Sequence, residues 1–366
     1  MLIWVTGVSG SQRTEYLRDV AELIGGGAKV IHLAEVLRSL PSNLRVYSDE
    51  EMTNLLDVGD AVRKFHIRSA LSELDKQVTS IGKDVFCFVS THACFLRDQR
   101  LRPGLEMALL KELFAPRIDM FTTVIDSCDE VWARLNGRRE WQHKLDLLDI
   151  AVWRDTEITM TRMIAEYEGK PFFLIATGDG PEGLHRICAQ PNARKIYLGY
   201  PISNILKEKK GLFDRAQALA ARLGTEGYVV FNPISIQDVP ETRSMLLGEP
   251  TVNIPAEQVE PARRYLNSQT MSRDFQLIDQ SDMVVVFYPS KDISTGVMSE
   301  LNHARDSHKP RYCCGYVGRG SPFDPYIFGE MLGDEDALLA RLNELYKDSG
   351  GGWKPRGNVS DGSERP

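Results

Sequence analysis

The sequence predicts an α/β protein made of two parallel-sheet domains. Three observations carry that expectation. The chain has 366 residues, whereas single hydrophobic cores stop growing at about 250–300 residues. Short, continuous apolar runs recur along it, bounded by glycine or polar residues, as strands buried on both faces require. Stretches long enough for crossover helices separate many of these runs, which is the βαβ rhythm of a parallel sheet.

In chain order, the first strands are "LIWVTG" (2–7), "KVIHL" (29–33), "VFCFVST" (85–91), "MFTTVID" (120–126) and "PFFLIAT" (171–177). "EYLRDVAELI" and "VRKFHIRSALSELDKQV" supply crossover helices. "TGDGPEGLHRICAQPNARK" (177–195) opens with turn residues, holds a short helix and ends as a loop, so a first domain is expected over 1–190. A second series follows over 191–348. Its strands are "KIYLGYP" (195–201), "YVVFNP" (228–233), "DMVVVFYP" (282–289) and "RYCCGYV" (311–317). "LFDRAQALAARLGTEG" is a helix closed by a glycine. Residues 236–262, rich in Pro, Glu and Thr and poorly periodic, read as an excursion or lid. "SRDFQLIDQSD" is a helix feeding the strand after it, and "EDALLARLNELYKD" (335–348) is a last amphipathic helix. Residues 349–366 read as a disordered tail.

Composition narrows the function classes. A net charge of -7 supplies no global basic field, so no nucleic-acid partner is expected. No apolar stretch approaches the roughly 20 residues that span a bilayer, so no membrane partner is expected either. The start "MLIWVTG" lacks the basic region and cleavage site of a signal peptide and reads as a buried strand. Cys87, Cys94, Cys128, Cys188, Cys313 and Cys314 form no C-x-x-C pair, and reduced core thiols in a cytoplasmic protein are expected, with no metal site.

"GVSGSQRT" (7–14) follows the first strand with the outline of a phosphate-binding loop, G-x-x-x-x-G-K-[ST]. Gly7, Gly10 and Thr14 fit a turn whose N–H groups and following helix cradle a phosphate. Gln12 stands where the second glycine belongs, and is a poor replacement if the position needs φ > 0. Arg13 stands where the lysine belongs and keeps the charge as a bulkier fork. By residues alone the stretch is either a nucleotide cradle or a strand-to-helix turn. Together with "FVSTHACF" and "RPGLEMALLKELFAPRIDMFTTVIDSCDEVWARL", it resembles the archaeal adenylate kinase-like branch of the P-loop nucleoside monophosphate kinases over roughly residues 1–180. The resemblance implies a P-loop kinase-like fold with ATP and Mg²⁺ as its ligands. It also implies that Arg134, Arg138 and Arg139 form a phosphate-gripping lid. Ser90 stands where the family carries an aspartate that organises Mg²⁺. Phosphoryl transfer depends on positioning and charge, so changing the lysine and the aspartate together predicts binding without efficient catalysis.

In the second half, "DISTGVMSELNHARDSHKP" (292–310) is a Ser/Thr/Gly turn after a buried strand, continuing as a helix. That places Glu300 by the carboxyl ends of the strands, where open α/β sheets bind ligands. Read alone, Asp274 is equally an exposed helix carboxylate and Glu300 a partner for Arg305. "IYLGYPIS", Asp274 in "RDFQLIDQSD" and "STGVMSE" occur in an order that resembles the nucleoside 2-deoxyribosyltransferase superfamily, including its 2′-deoxynucleoside 5′-monophosphate N-glycosidase branch, over roughly residues 194–320. The resemblance implies a Rossmann- or flavodoxin-like domain. Glu300 would be the nucleophile, and Asp274 would orient the substrate or protonate the departing base. Ser294 and Gly296 would bind phosphate or hydroxyl, and Tyr197, Gly199 and Ser203 would line the sugar pocket. "GYPIS" departs from the usual glycine-rich form of that loop.

The expected function is therefore hydrolysis or transfer at the N-glycosidic bond of a (deoxy)nucleoside or nucleoside 5′-monophosphate, with no cofactor in the C-terminal domain. A homo-oligomer is implied by the resemblance. The alternatives are a bifunctional kinase and salvage enzyme, or a nucleotide-sensing protein that only binds.

Overall fold

A computed structural model describes residues 1–40, 59–82, 84–97, 99–139, 141–208, 210–238, 254–317 and 320–348. The chain begins with β1 (Leu2–Thr6), α1 (Arg13–Ile24), β2 (Ala28–His32) and α2 (Leu33–Ser39). Helix α3 (Asp60–Thr79) leads to β3 (Phe86–Ser90) and to a hairpin of β4 (Cys94–Arg97) and β5 (Arg100–Pro103). Then come β6 (Ile118–Ile125), α4 (Cys128–Asn136), α5 (Leu147–Tyr167), β7 (Phe172–Ala176) and α6 (Glu182–Ala189). The second series runs β8 (Lys195–Gly199), α7 (Ile202–Glu208), α8 (Lys210–Thr225) and β9 (Val229–Phe231). The long helix α9 (Ala256–Asp279) precedes β10 (Met283–Phe287), α10 (Thr295–Asp306), β11 (Arg311–Cys314), α11 (Asp324–Phe328), β12 (Glu330–Leu332) and α12 (Glu335–Asp348).

Two five-stranded sheets result, so the two-sheet α/β architecture expected from the sequence is the one observed. The first has the order β2-β3-β1-β6-β7 and is parallel throughout. Its central strand β1, "LIWVT", is buried at every position, which is why it carries no polar alternation. The register sets Val5 beside Ser90, so the ends of β1 and β3 open on one edge. Helix α1 buries Tyr16, Leu17 and Val20, and α5 starts from a capping box between Asp146 and Asp149. The second sheet has the order β12-β11-β10-β8-β9, with β12, β11, β10 and β8 parallel.

The chain divides into two compact units. One contains Met1–Ala189 and Val230–Ser281, the other Gln190–Val229 and Asp282–Pro366. The sequence placed 191–348 in one domain, whereas Val230–Ser281 groups with the N-terminal unit. The physical reason lies in α9, which packs along α5. Its Ala262 and Leu266 join Trp153, Ile150 and Val131 in one apolar cluster. Its Gln269 bonds Arg154 and the Ala151 carbonyl (2.9 and 2.6 Å).

The excursion expected over 236–262 is also revised in part, because 256–262 form the first turns of α9. Residues 239–253 and the tail 349–366 lie outside the described residues. All six cysteines are free and buried. Among the described residues, no helix is long and apolar enough to cross a membrane.

Candidate functional site

In the N-terminal unit, the turn between β1 and α1 keeps the geometry of a glycine loop. Gly7 has φ 154, and a Cβ there would lie 2.5 Å from the Val124 carbonyl oxygen. Gly10 has φ 82 against Leu135. Gln12 takes φ 55 and ψ 19 in the left-handed region, so the chain makes the glycine's turn with an exposed glutamine. Gly10, Arg13, Thr14, Arg134 and Arg138 line one cavity of about 710 Å³. Gly7 is not among its lining residues and instead sets the turn.

Glu157, fully buried on α5, holds the loop in place. Its Oε1 accepts from the Gly7 and Ala93 N–H groups (3.0 and 2.7 Å) and its Oε2 from Cys94 N–H (2.8 Å). Burial raises its carboxyl above the usual range, opposed by these N–H groups and by Arg13. The start of the glycine loop is thereby tied to the segment after β3. The sequence reading did not single out Glu157. The available signal was its phase, since it falls with Ile150, Trp153, Thr161 and Ile164 on the buried stripe of α5.

Arg13 folds back across the loop. It donates to the Gly7 carbonyl, to Ser90 Oγ (2.9 Å from Nε) and to His92 Nε2 (3.3 Å from Nη2). Because a guanidinium only donates, the His92 contact requires a neutral imidazole with its proton on Nδ1. Burial and Arg13 together hold His92 well below the usual histidine range, which agrees. Burial also lowers Arg13 to about 10, with Glu157 and Glu15 acting against it. Arg134 donates to the Gly10 carbonyl and pairs with Asp126 (2.6 Å) and Glu130 (3.4 Å).

These residues do not fit Mg²⁺, which needs a near-octahedral set of oxygen ligands. Thr14 offers a hydroxyl, but the Ser90 hydroxyl at the strand end already accepts from a cation. Asp126 is taken up by Arg134. No metal-holding group of His, Cys, Asp and Glu occurs among the described residues.

In the C-terminal unit, Glu300 and Gly199 come together. Gly199 ends β8, beside Val286 of β10, and a Cβ there would stand 2.9 Å from Glu300 Oε2 and 3.5 Å from Tyr197 Cε1. The carboxyl thus lies over the carboxyl end of β8, and its Oε2 is buried. Tyr197 is fully buried beneath it. The proposed pairing of Glu300 with Arg305 is not formed, because Arg305 turns to Asp306 (3.0 and 2.9 Å). Ser294 caps α10, its hydroxyl accepting from Val297 N–H at 3.4 Å. Gly296 is exposed in the first turn, with open space where a side chain would stand. Ser203 is exposed on α7.

Two residues missed by sequence reasoning shape this loop. Tyr288 Oη donates to the Asp292 carbonyl and accepts from Ser294 N–H (both 2.8 Å), and Asn204 Nδ2 donates to the same carbonyl (3.2 Å).

Asp274 belongs to α9 and hence to the N-terminal unit. Its side chain is 13% exposed and pairs with Arg273 (3.1 Å), so it is not an ordinary surface carboxylate. Burial raises its carboxyl, Arg273 opposes this, and Asp238 adds to the rise. Arg273 also donates to the carbonyls of Ile236 and Pro233 (3.0 and 3.3 Å). Burial disfavours the Asp238 carboxylate too, but a bidentate bond from Arg154 (both 2.7 Å) overrides it and keeps Asp238 low. Asp179, bonded to the Ser235 hydroxyl, was not singled out in the sequence. Burial lifts it to about 7 despite Ser235, Asn232 N–H and Arg273.

No known family model and no curated protein matches the sequence. Among solved structures, the crystal structure of TT1252 from Thermus thermophilus matches at 13% identity and a TM-score of 0.28, covering 48% of this chain and 87% of that one. A likeness of that size fixes neither fold nor function.

Proposed function

We propose that the C-terminal unit cleaves or exchanges the N-glycosidic bond of a (deoxy)nucleoside or nucleoside 5′-monophosphate, and that the N-terminal unit binds a nucleotide. The observation that carries the reading is the Glu300 carboxyl over Gly199, at the strand ends and one turn from the open Gly296. In this reading a Glu300 carboxylate oxygen attacks the anomeric carbon. The carbon–nitrogen bond breaks, its electron pair leaves with the base, and the base takes up a proton. Water then attacks the glycosyl ester, freeing the sugar and restoring the carboxylate. A second base in place of water gives transfer. The arginine-lined cavity supports the nucleotide-binding part. A cytoplasmic homo-oligomer with no cofactor in the C-terminal unit completes the reading.

The test is chromatography of a nucleoside and nucleotide panel incubated with the full chain, with and without an acceptor base. Release of free base is expected, and no release from any member overturns the reading. Transfer of the ATP γ-phosphate to a nucleoside monophosphate, lost in Arg13→Ala, would instead make the N-terminal unit a kinase.

A further inference from the structure

We propose that the N-terminal cavity holds the phosphates of a nucleotide without a divalent cation, with arginine guanidinium groups standing where a metal would. The inference rests on reading the cavity as nucleotide-binding, and it specifies the ionic form of the ligand.

Three observations support it. Among the described residues, every hydrogen bond of Arg13 goes to a neutral acceptor: a carbonyl, a hydroxyl and an imidazole nitrogen. None of these hydrogen bonds is to a carboxylate; Glu157 and Glu15 act on the guanidinium across space only. Arg63 on α3 is 4% exposed yet lines the same cavity. Its Nη2 donates to Asp60 (2.6 Å), while its Nη1 has no hydrogen-bond partner among the described residues. A buried guanidinium N–H lacking an acceptor is costly, and a phosphate oxygen is the acceptor that suits it. Finally, Arg13, Arg38, Arg63, Arg134 and Arg138 line the cavity; among the described residues its lining holds two carboxylates, Glu15 and Glu35, both exposed, while Asp60 pairs with Arg63 and Asp126 and Glu130 pair with Arg134. Guanidinium groups offer N–H donors that suit phosphate oxygens and no atom that could ligate Mg²⁺. Chelation by Mg²⁺ also removes two negative charges from ATP and so weakens its attraction to the arginines.

The experiment is isothermal titration calorimetry of the full chain with ATP, in EDTA and in excess Mg²⁺. Affinity in EDTA that equals or exceeds that in Mg²⁺ is expected. Weakening in EDTA by about threefold or more, which is about 0.65 kcal/mol, overturns the inference and leaves the nucleotide-binding reading standing. Absence of ATP binding in both conditions overturns both. Arg63→Ala is expected to weaken binding in EDTA by about tenfold, and unchanged affinity there removes Arg63 from the site. In the double variant Arg13→Lys, Ser90→Asp, binding is expected to become stronger with Mg²⁺ than with EDTA. That second variant distinguishes a change of ligand form from a simple loss of binding.

Discussion

Glu157→Gln tests how the glycine loop between β1 and α1 is held. The carboxylate accepts three backbone N–H bonds, two on Oε1 and one on Oε2. A glutamine keeps the volume and one oxygen, which can still accept from Gly7 and Ala93. Its amide NH₂ then meets the Cys94 N–H, donor against donor. One charge-assisted bond is lost and a buried donor is left unsatisfied, a cost of about 2–4 kcal/mol after allowing for the relief of an uncharged side chain. Four of the five tryptophans, Trp4, Trp132, Trp141 and Trp153, belong to the N-terminal unit, so their fluorescence in a urea titration follows that unit. The midpoint should fall, and ATP affinity should fall with it because Gly7 is released. A variant as stable as the parent, with unchanged affinity, would refute the view that Glu157 fixes the loop.

Gln12→Gly removes an exposed side chain from a left-handed residue and should stabilise by about 1 kcal/mol, seen as a rise in the thermal midpoint. Asp179 has a folded-state value raised to about 7. The folded chain therefore holds a proton that the unfolded chain has released, and stability falls as pH rises from about 4 through 7. Asp179→Asn removes this dependence, so its stability relative to the parent should improve by about 2–3 kcal/mol between pH 5 and pH 8 in urea titrations; a pH-independent difference would contradict the assignment. Gly199→Ala would press a Cβ onto Glu300 Oε2. Base release should drop by about a hundredfold with the circular dichroism spectrum unchanged.

The strands were legible because a parallel strand buried on both faces is a continuous apolar run, as in "LIWVT" and "MVVVF". The grouping of α9 with the N-terminal unit was not, because what it buries includes Gln269 and Arg273. Their partners, Arg154 and Asp238, lie far off in sequence, and hydropathy scores such a network as surface. Glu157 was hidden for the same reason. The motif at 7–14 was legible as an outline. The left-handed turn at Gln12 and the three neutral acceptors around Arg13 depend on Ser90 and His92, which only the sheet register brings beside the loop. In the C-terminal unit, Glu300 was placed at the strand ends from the order of strand, turn and helix alone. Its contact with Gly199 required the pairing of β8 with β10.

The most direct test of the account is base release by Glu300→Gln beside the parent chain, each checked for fold by circular dichroism. The account predicts that the substrate processed by the parent is left intact by the variant, with a rate loss of about a thousandfold or more. Release at the parent's rate from a correctly folded Glu300→Gln would contradict it.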